Sequence, residues 1–233
     1  KDKNTGQDEI LELKKVFFNR TFSYQTRVLV QFDTDEIESY ISSSVLPNDY
    51  KLNLRLYETE GTSGLSEEYT ISAYPLSQSW DEGIGKESDV PKTTEGCSWA
   101  FSKNNQGVEV KWNAYSSSIS SSIDESGDTI NTTSTFTSSF VDGNQISEGS
   151  FIEDDEATQV FSTESPDLNM DITTIANKWF GGVNENYGLM LRLSGSRETS
   201  STSFEDIKFF SRQTNTIYSP KIELKWDDHL PAT

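Results

Sequence analysis

The sequence predicts an all-β protein: an antiparallel β-sandwich of jelly-roll type, with one short helix and long β-ribbon or loop excursions. Three observations carry this. Short segments alternate apolar and polar residues with a period of two, most cleanly in Lys51-Leu52-Asn53-Leu54-Arg55-Leu56-Tyr57. Aromatic residues make up 12% of a chain that is only 33% hydrophobic, so a few large rings carry a core that the aliphatic count understates. Apolar strands do not alternate with regular helical stretches, which argues against a parallel α/β sheet.

The elements follow in order. Residues 1–15 are polar apart from Ile10, Leu11 and Leu13, and read as an N-terminal arm that pairs late or reaches a neighbour. Phe18-Asn19-Arg20-Thr21-Phe22-Ser23-Tyr24 alternates aromatic and polar residues, the pattern of a half-buried strand. Val28, Val30 and Phe32 share one face of the next strand, and the acidic run from Asp33 to Tyr40 suits a helical turn. Leu52, Leu54 and Leu56 point inward from the third strand, and Tyr69 to Tyr74 forms a fourth.

From about residue 83 to 166 the chain is a Ser/Thr- and acid-rich excursion. Recurring Trp99, Phe101, Trp112, Tyr115, Phe136 and Phe140 favour ordered ribbons there over disorder. Val108 to Trp112 and Thr135 to Phe140 read as strands, Gly127-Asp128 and Asp142-Gly143-Asn144 as turns. Asn169 to Trp179 is the helix candidate: Asp171 or Thr173 caps it, Ile172, Ile175, Ala176 and Trp179 recur at helical spacing, and Gly181-Gly182 stops it. Strands at Tyr187–Leu193, Ile207–Ser211 and Lys221–Trp226 close the set, the last with Ile222, Leu224 and Trp226 on one face. The expected organisation is one sandwich domain over 16–228, flanked by the arm and a C-terminal tail at 229–233.

Thirty-eight acids against nineteen bases leave a formal net charge of −19. Such a chain repels a phosphate backbone and an anionic membrane surface, so neither nucleic acid nor membrane is an expected partner. No apolar run approaches the ~20 residues of a membrane-spanning helix. One histidine, His229, excludes multi-histidine metal sites, and one cysteine, Cys97, excludes an intrachain disulfide.

Several segments, in order, resemble a known family. Val28-Leu29-Val30-Gln31-Phe32-Asp33 resembles an opening L-L-x-F-D strand, and Leu54-Arg55-Leu56-Tyr57 an A-x-L-x-L strand. Ile71 to Leu76 followed by Trp80-Asp81-Glu82 resembles a strand leading to W-x-E. Met170-Asp171-Ile172-Thr173 with Trp179, Asn186 to Leu191, and Phe210-Ser211-Arg212 with Pro220 to Leu224 resemble its later motifs. Together they are similar to the DNRLRE-type β-sandwich domain, related to carbohydrate-binding modules of secreted and cell-surface bacterial proteins. Gly83-Ile84-Gly85 departs from that pattern, standing where the family has a T-W step. The stretch from Phe209 to Asp228 also resembles a segment of virion structural proteins of large-genome tailed bacteriophages. That resemblance implies a virion location and partners that are other virion proteins and copies of the chain itself. The first resemblance implies the alternative, an extracellular or cell-surface glycan-binding module.

Neither implies an enzyme. His229 lies in a Pro-containing tail, a poor place to fix an imidazole, and no G-x-S-x-G or H-E-x-x-H motif is present. Cys97 sits in a Gly-Cys-Ser-Trp strand start. Glu82 beside Trp80 is the only carboxylate that stands out for glycoside chemistry, and a loop acid flanking a Trp is the more ordinary reading. Trp99, Trp112 and Tyr115 are the candidates for glycan or partner contact, whereas Trp179 and Trp226 belong on core faces. The acidic clusters Asp33-Asp35-Glu36, Asp124-Glu125-Asp128, Glu153-Asp154-Asp155-Glu156 and Asp227-Asp228 match no EF-hand loop. They leave room for one structural calcium ion, and no other cofactor is expected.

Overall fold

The computed structural model describes residues 3–18, 22–42, 50–59, 68–112, 122–123, 129–130, 138–141, 144–147, 151–162, 167–194, 196–199 and 205–226. They divide into two compact units: Glu9–Pro75 with Glu153–Thr233, and Lys1–Asp8 with Leu76–Ile152.

The first unit is an antiparallel β-sandwich. One layer contains β3 (Val28–Val30), β5 (Glu68–Pro75), β12 (Ala157–Ser162) and β14 (Leu189–Leu193), in the order β12-β5-β14-β3. The other is built from β4 (Tyr50–Leu56), flanked by β13 (Leu168–Asp171) and β16 (Lys221–Trp226), and from β15 (Glu205–Phe210), β1 (Ile10–Phe18) and β2 (Phe22–Gln25). Two backbone bonds join these groups: Thr59 donates to Lys208 O at 2.9 Å and Phe210 to Tyr57 O at 3.0 Å. The continuation of β4 therefore runs alongside β15.

The alternation read from the sequence sets which side chains fill the space between the layers. Leu52, Leu54 and Leu56 face Ile71, Ala73, Leu189 and Leu191 within one apolar cluster, every one of them buried. Fully burying each large member contributes about 1.5–3 kcal/mol of transfer free energy. The all-β sandwich expected from the sequence is the observed fold of this unit.

Several elements differ from expectation. Residues 10–15, inside the stretch read as an arm, are strand: Leu13 pairs with Ile207 across β1 and β15, and both side chains are completely buried. The strand expected over Phe18–Tyr24 is shared between two strands, β1 and β2, with Phe18 opposite Phe22. The helix expected from Asn169 begins at Thr173 (α2, Thr173–Phe180). Leu168 and Met170 are drawn into the ladder opposite Leu56 and Leu54, which leaves Ile175, Ala176 and Trp179 to form the buried helical stripe. Asp171 accepts the Thr173 amide at 3.0 Å, and Gly181 and Gly182 donate to the carbonyls of Asn177 and Trp179. Gly182 adopts φ +65°, the left-handed turn that ends the helix. The acidic run is an eight-residue helix, α1 (Asp35–Ser42), with its acids in the first turn where the helix dipole favours them. A single turn, α3 (Ser196–Thr199), precedes β15.

The excursion expected over 83–166 is bounded differently. β12 lies inside that range yet pairs along β5, Ala157 opposite Ala73 and Phe161 opposite Tyr69, whose rings stack at 4.7 Å. The longer segment of the second unit begins at Leu76, which forms an isolated bridge to Phe151; both side chains are buried. It contains three hairpins among the described residues: β6 (Phe101–Asn105) with β7 (Val108–Lys111), β8 (Ser122–Ile123) with β9 (Thr129–Ile130), and β10 (Ser138–Val141) with β11 (Asn144–Ser147). Gln106 (φ 51°) and Gly107 (φ 87°) form the two-residue β6–β7 loop, and two successive positive φ values match the right-handed twist of a hairpin. The expected turns at 127–128 and 142–143, and Thr135 to Thr137, lie outside the described residues.

Asn4 organises this unit. Its buried amide donates to the carbonyls of Glu82 (2.8 Å) and Cys97 (2.9 Å) and accepts from the amides of Gly6 (3.1 Å) and Gly85 (3.0 Å). A Cβ on Gly85 would lie 2.2 Å from Asn4 O, so the close approach requires glycine there.

Candidate interaction surface

Among the described residues, β16 is an edge strand of the sandwich. Its one neighbouring strand among them is β4, with Lys221 opposite Arg55 and Trp226 opposite Tyr50. Ile222 and Leu224 pack partly against the core, while Trp226, expected inside it, is 50% exposed. The physical reason is position: Trp226 is the last residue of an edge strand, opposite Tyr50 at the first residue of β4. Lys221, Glu223 and Lys225 form the opposite face, with Lys221 Nζ 3.0 Å and Lys225 Nζ 3.6 Å from Glu223 and Arg55 Nε at 3.7 Å. Hydrogen bonds to Tyr57 and Glu223 hold the Lys221 ammonium above the ordinary lysine value, and the bond from Lys221 holds Glu223 below the ordinary carboxylate value.

An aromatic group borders this edge. The chain turns after β15 through Ser211, whose Oγ accepts the Gln213 amide at 3.0 Å, and returns so that Tyr218 meets two rings. The centroid of Tyr218 lies 5.8 Å from Phe210 and 5.3 Å from Tyr57. Arg55 and Lys221 sit 5.4 Å from the Tyr57 centroid, within cation–π range. Ile217 beside them is 86% exposed. Open backbone donors and acceptors, exposed apolar side chains and alternating charge are the components of strand addition. In the other unit β7 is exposed along its whole length, including Val108 and Val110.

The residues singled out from the sequence fall elsewhere. Trp112 is buried and donates its Nε1 hydrogen to Ser98 O at 2.8 Å, so its ring is no stacking platform. Trp99 is half-buried nearby in sequence. Tyr115 lies outside the described residues, as do His229 and the acids at 124, 125, 128, 227 and 228. Burial pushes the Cys97 thiol up to about 12. The backbone carbonyl of Glu82 receives Asn4, and Glu82 lines neither of the two clefts described next. A cleft of about 320 Å³ between α1 and the α2–β14 connection gathers Asp33, Asp35, Glu38 and Glu185 beside Trp179 and Phe180. A second, about 380 Å³, lies along Asp154 to Thr158, where buried Asp155 is paired with Lys178 and accepts from Asn184 at 3.1 Å. Among the described residues no group of three or more His, Cys, Asp or Glu side chains is arranged to hold a metal ion.

A further polar group covers the outer face of the β5–β14 pair. Glu198 on α3 takes Arg27 through both carboxylate oxygens, at 2.7 and 3.0 Å, and Arg192 at 2.9 Å. Arg192 also stacks 4.9 Å from the Tyr74 ring, and Tyr74 donates to Glu156 at 2.6 Å. Glu198 thus bridges two guanidinium groups and ties α3 to the sheet.

Comparison with protein-family models, curated proteins and solved structures found no match.

Proposed function

We propose that this chain is a non-enzymatic structural component of a bacteriophage virion, in the neck, tail, a fibre or a decoration, acting through contacts with copies of itself and other virion proteins. The observation that carries the reading is the β16 edge opposite β4, which has no neighbouring strand among the described residues and carries the exposed apolar side chains Ile217, Tyr218 and Trp226 in or near it along the chain. The same stretch, Phe209 to Asp228, bears the resemblance to virion proteins. The exposed β7 strand of the other unit supplies a further adhesive edge. The glycan-binding alternative loses Trp112 as a platform, since that ring is buried.

The test is to raise an antibody against the purified chain and apply it to purified particles from cells that express it. Labelling at a fixed place and a constant copy number per particle is the expected result. Chain recovered only in the soluble, particle-free fraction overturns the reading.

A further inference from the structure

We propose that β16 pairs with β16 of a second copy of this chain across a two-fold axis at Leu224. The proposal rests on the reading that copies associate, and names the surface and register by which they do so.

The argument begins with the faces of the strand. In an antiparallel pair, directly opposed residues point to the same side of the sheet, so residues of the apolar face must oppose one another and charged ones likewise. For two copies of one strand, only registers centred on a residue satisfy this. Centring on Glu223 sets it against its own copy and Lys221 against the partner's Lys225, all like charges. Centring on Lys225 opposes two lysines on the axis. Centring on Ile222 brings in Pro220, which has no N–H for a ladder. Centring on Leu224 leaves no conflict. Glu223 faces the partner's Lys225 twice over, Ile222 faces the partner's Trp226 twice, and Leu224 meets its copy.

Three structural facts fit this register. The β16 edge opposite β4 has no neighbour among the described residues. Trp226, 50% exposed, stands on the face that holds Ile222 and Leu224, so a partner's Ile222 would cover the ring that its own chain leaves uncovered. The strand carries two lysines and one glutamate, 2 − 1 = +1, within a chain of net charge −19, so this edge does not add to the acidic repulsion between copies. Pairing extends the β13-β4-β16 group through the axis into its symmetry mate, an isologous contact that closes after two chains.

The experiment is sedimentation velocity of the full chain from about 1 µM to several hundred µM, since a short ladder is a small interface and associates weakly. The wild type is expected to dimerise. Glu223→Lys and Lys225→Glu each place two like-charge pairs across the axis and are expected to weaken association about tenfold. The double variant Glu223→Lys/Lys225→Glu restores opposite charges and is expected to return to within about threefold of wild type. Glu223 and Lys225 also pair within one chain, so circular dichroism and urea unfolding of each variant separate loss of folding from loss of pairing, and a rescue of association among equally folded variants is the expected result. A wild type that dimerises while both single variants dimerise equally well overturns the β16 pairing but leaves self-association standing. A wild type monomeric throughout overturns both.

Discussion

The side-chain oxygen of Gln159 accepts the backbone N–H of Asn169 at 2.6 Å, while its amide donates to Asp167 O at 3.2 Å. Gln159 lies on β12 and Asn169 on β13, strands of the two opposing layers. One side chain thus does along this margin of the sandwich what a backbone ladder does within a sheet. Gln159→Leu is expected to lower stability by about 1–3 kcal/mol, because two backbone groups lose their partner. Gln159→Glu keeps the acceptor for Asn169 and loses the donor to Asp167, so its loss should be smaller. Urea unfolding of the three proteins orders them.

Asn4 makes the same point for the other unit. Its amide serves two carbonyls and two N–H groups. Asn4→Asp should be at least as damaging as Asn4→Ala, because a carboxylate would face the Glu82 and Cys97 carbonyls. Each is expected to cost about 3 kcal/mol in the opening of this loop cluster. Hydrogen exchange of the 83–97 amides reads it, and unchanged protection would contradict the assignment.

The Arg27–Glu198–Arg192 group predicts a non-additive series. Glu198→Ala leaves two guanidinium groups at a buried position and is expected to cost about 3–5 kcal/mol. Replacing Arg27 and Glu198 together, by Met and Leu, removes one charge of each sign and should cost less than Glu198→Ala alone. Thermal unfolding of the single and double variants tests the ordering.

Alkaline pH should weaken the fold from about pH 9 upward. Burial raises the Cys97 thiol from 9.0 to about 12 and the Tyr69 phenol from 10.0 to about 12. A raised value means the folded state holds a proton that the unfolded chain releases, so stability is fully present below the unfolded value and falls as pH rises toward the folded one. Cys97 acts first, over pH 9 to 12, and Tyr69 from pH 10. Burial lowers Lys15 from 10.5, which works in the opposite sense as pH climbs toward that value. The urea midpoint should therefore drop between pH 9 and 10 in wild type and hold steady there in Cys97→Ser.

How much of this the sequence discloses depends on how local the cause is. Leu52, Leu54 and Leu56 alternate with polar neighbours, and the β4 that they announce is the β4 observed. β16 matches its reading, Lys221 to Trp226, for the same reason. β12 does not announce itself, because only Phe161 of its inward residues is large and the strand depends on β5 to form. The start of α2 was hidden by Leu168 and Met170, which fit helical spacing yet are claimed by β4 from more than a hundred residues away. Buried Trp112 donates to the Ser98 carbonyl fourteen residues earlier, and no local pattern around Trp112 indicates that partner. The β16 surface was half legible: the alternation of Lys221, Glu223 and Lys225 is in the sequence, but only the strand order makes it an edge.

The Asn4 clip also sets a schedule for synthesis. Residues 3–8 are made before Glu82 and Cys97, the partners of the Asn4 amide, which lie 78 and 93 residues further along. At about 5–20 residues per second that is a delay of several seconds to tens of seconds. Throughout it, the leading segment has no site to occupy, while Ile10 onward awaits β15 still later in the chain. The Asn4 segment therefore waits for its site throughout that interval, and a ribosome-stalled chain that ends before Cys97 should present residues 3–8 to proteases.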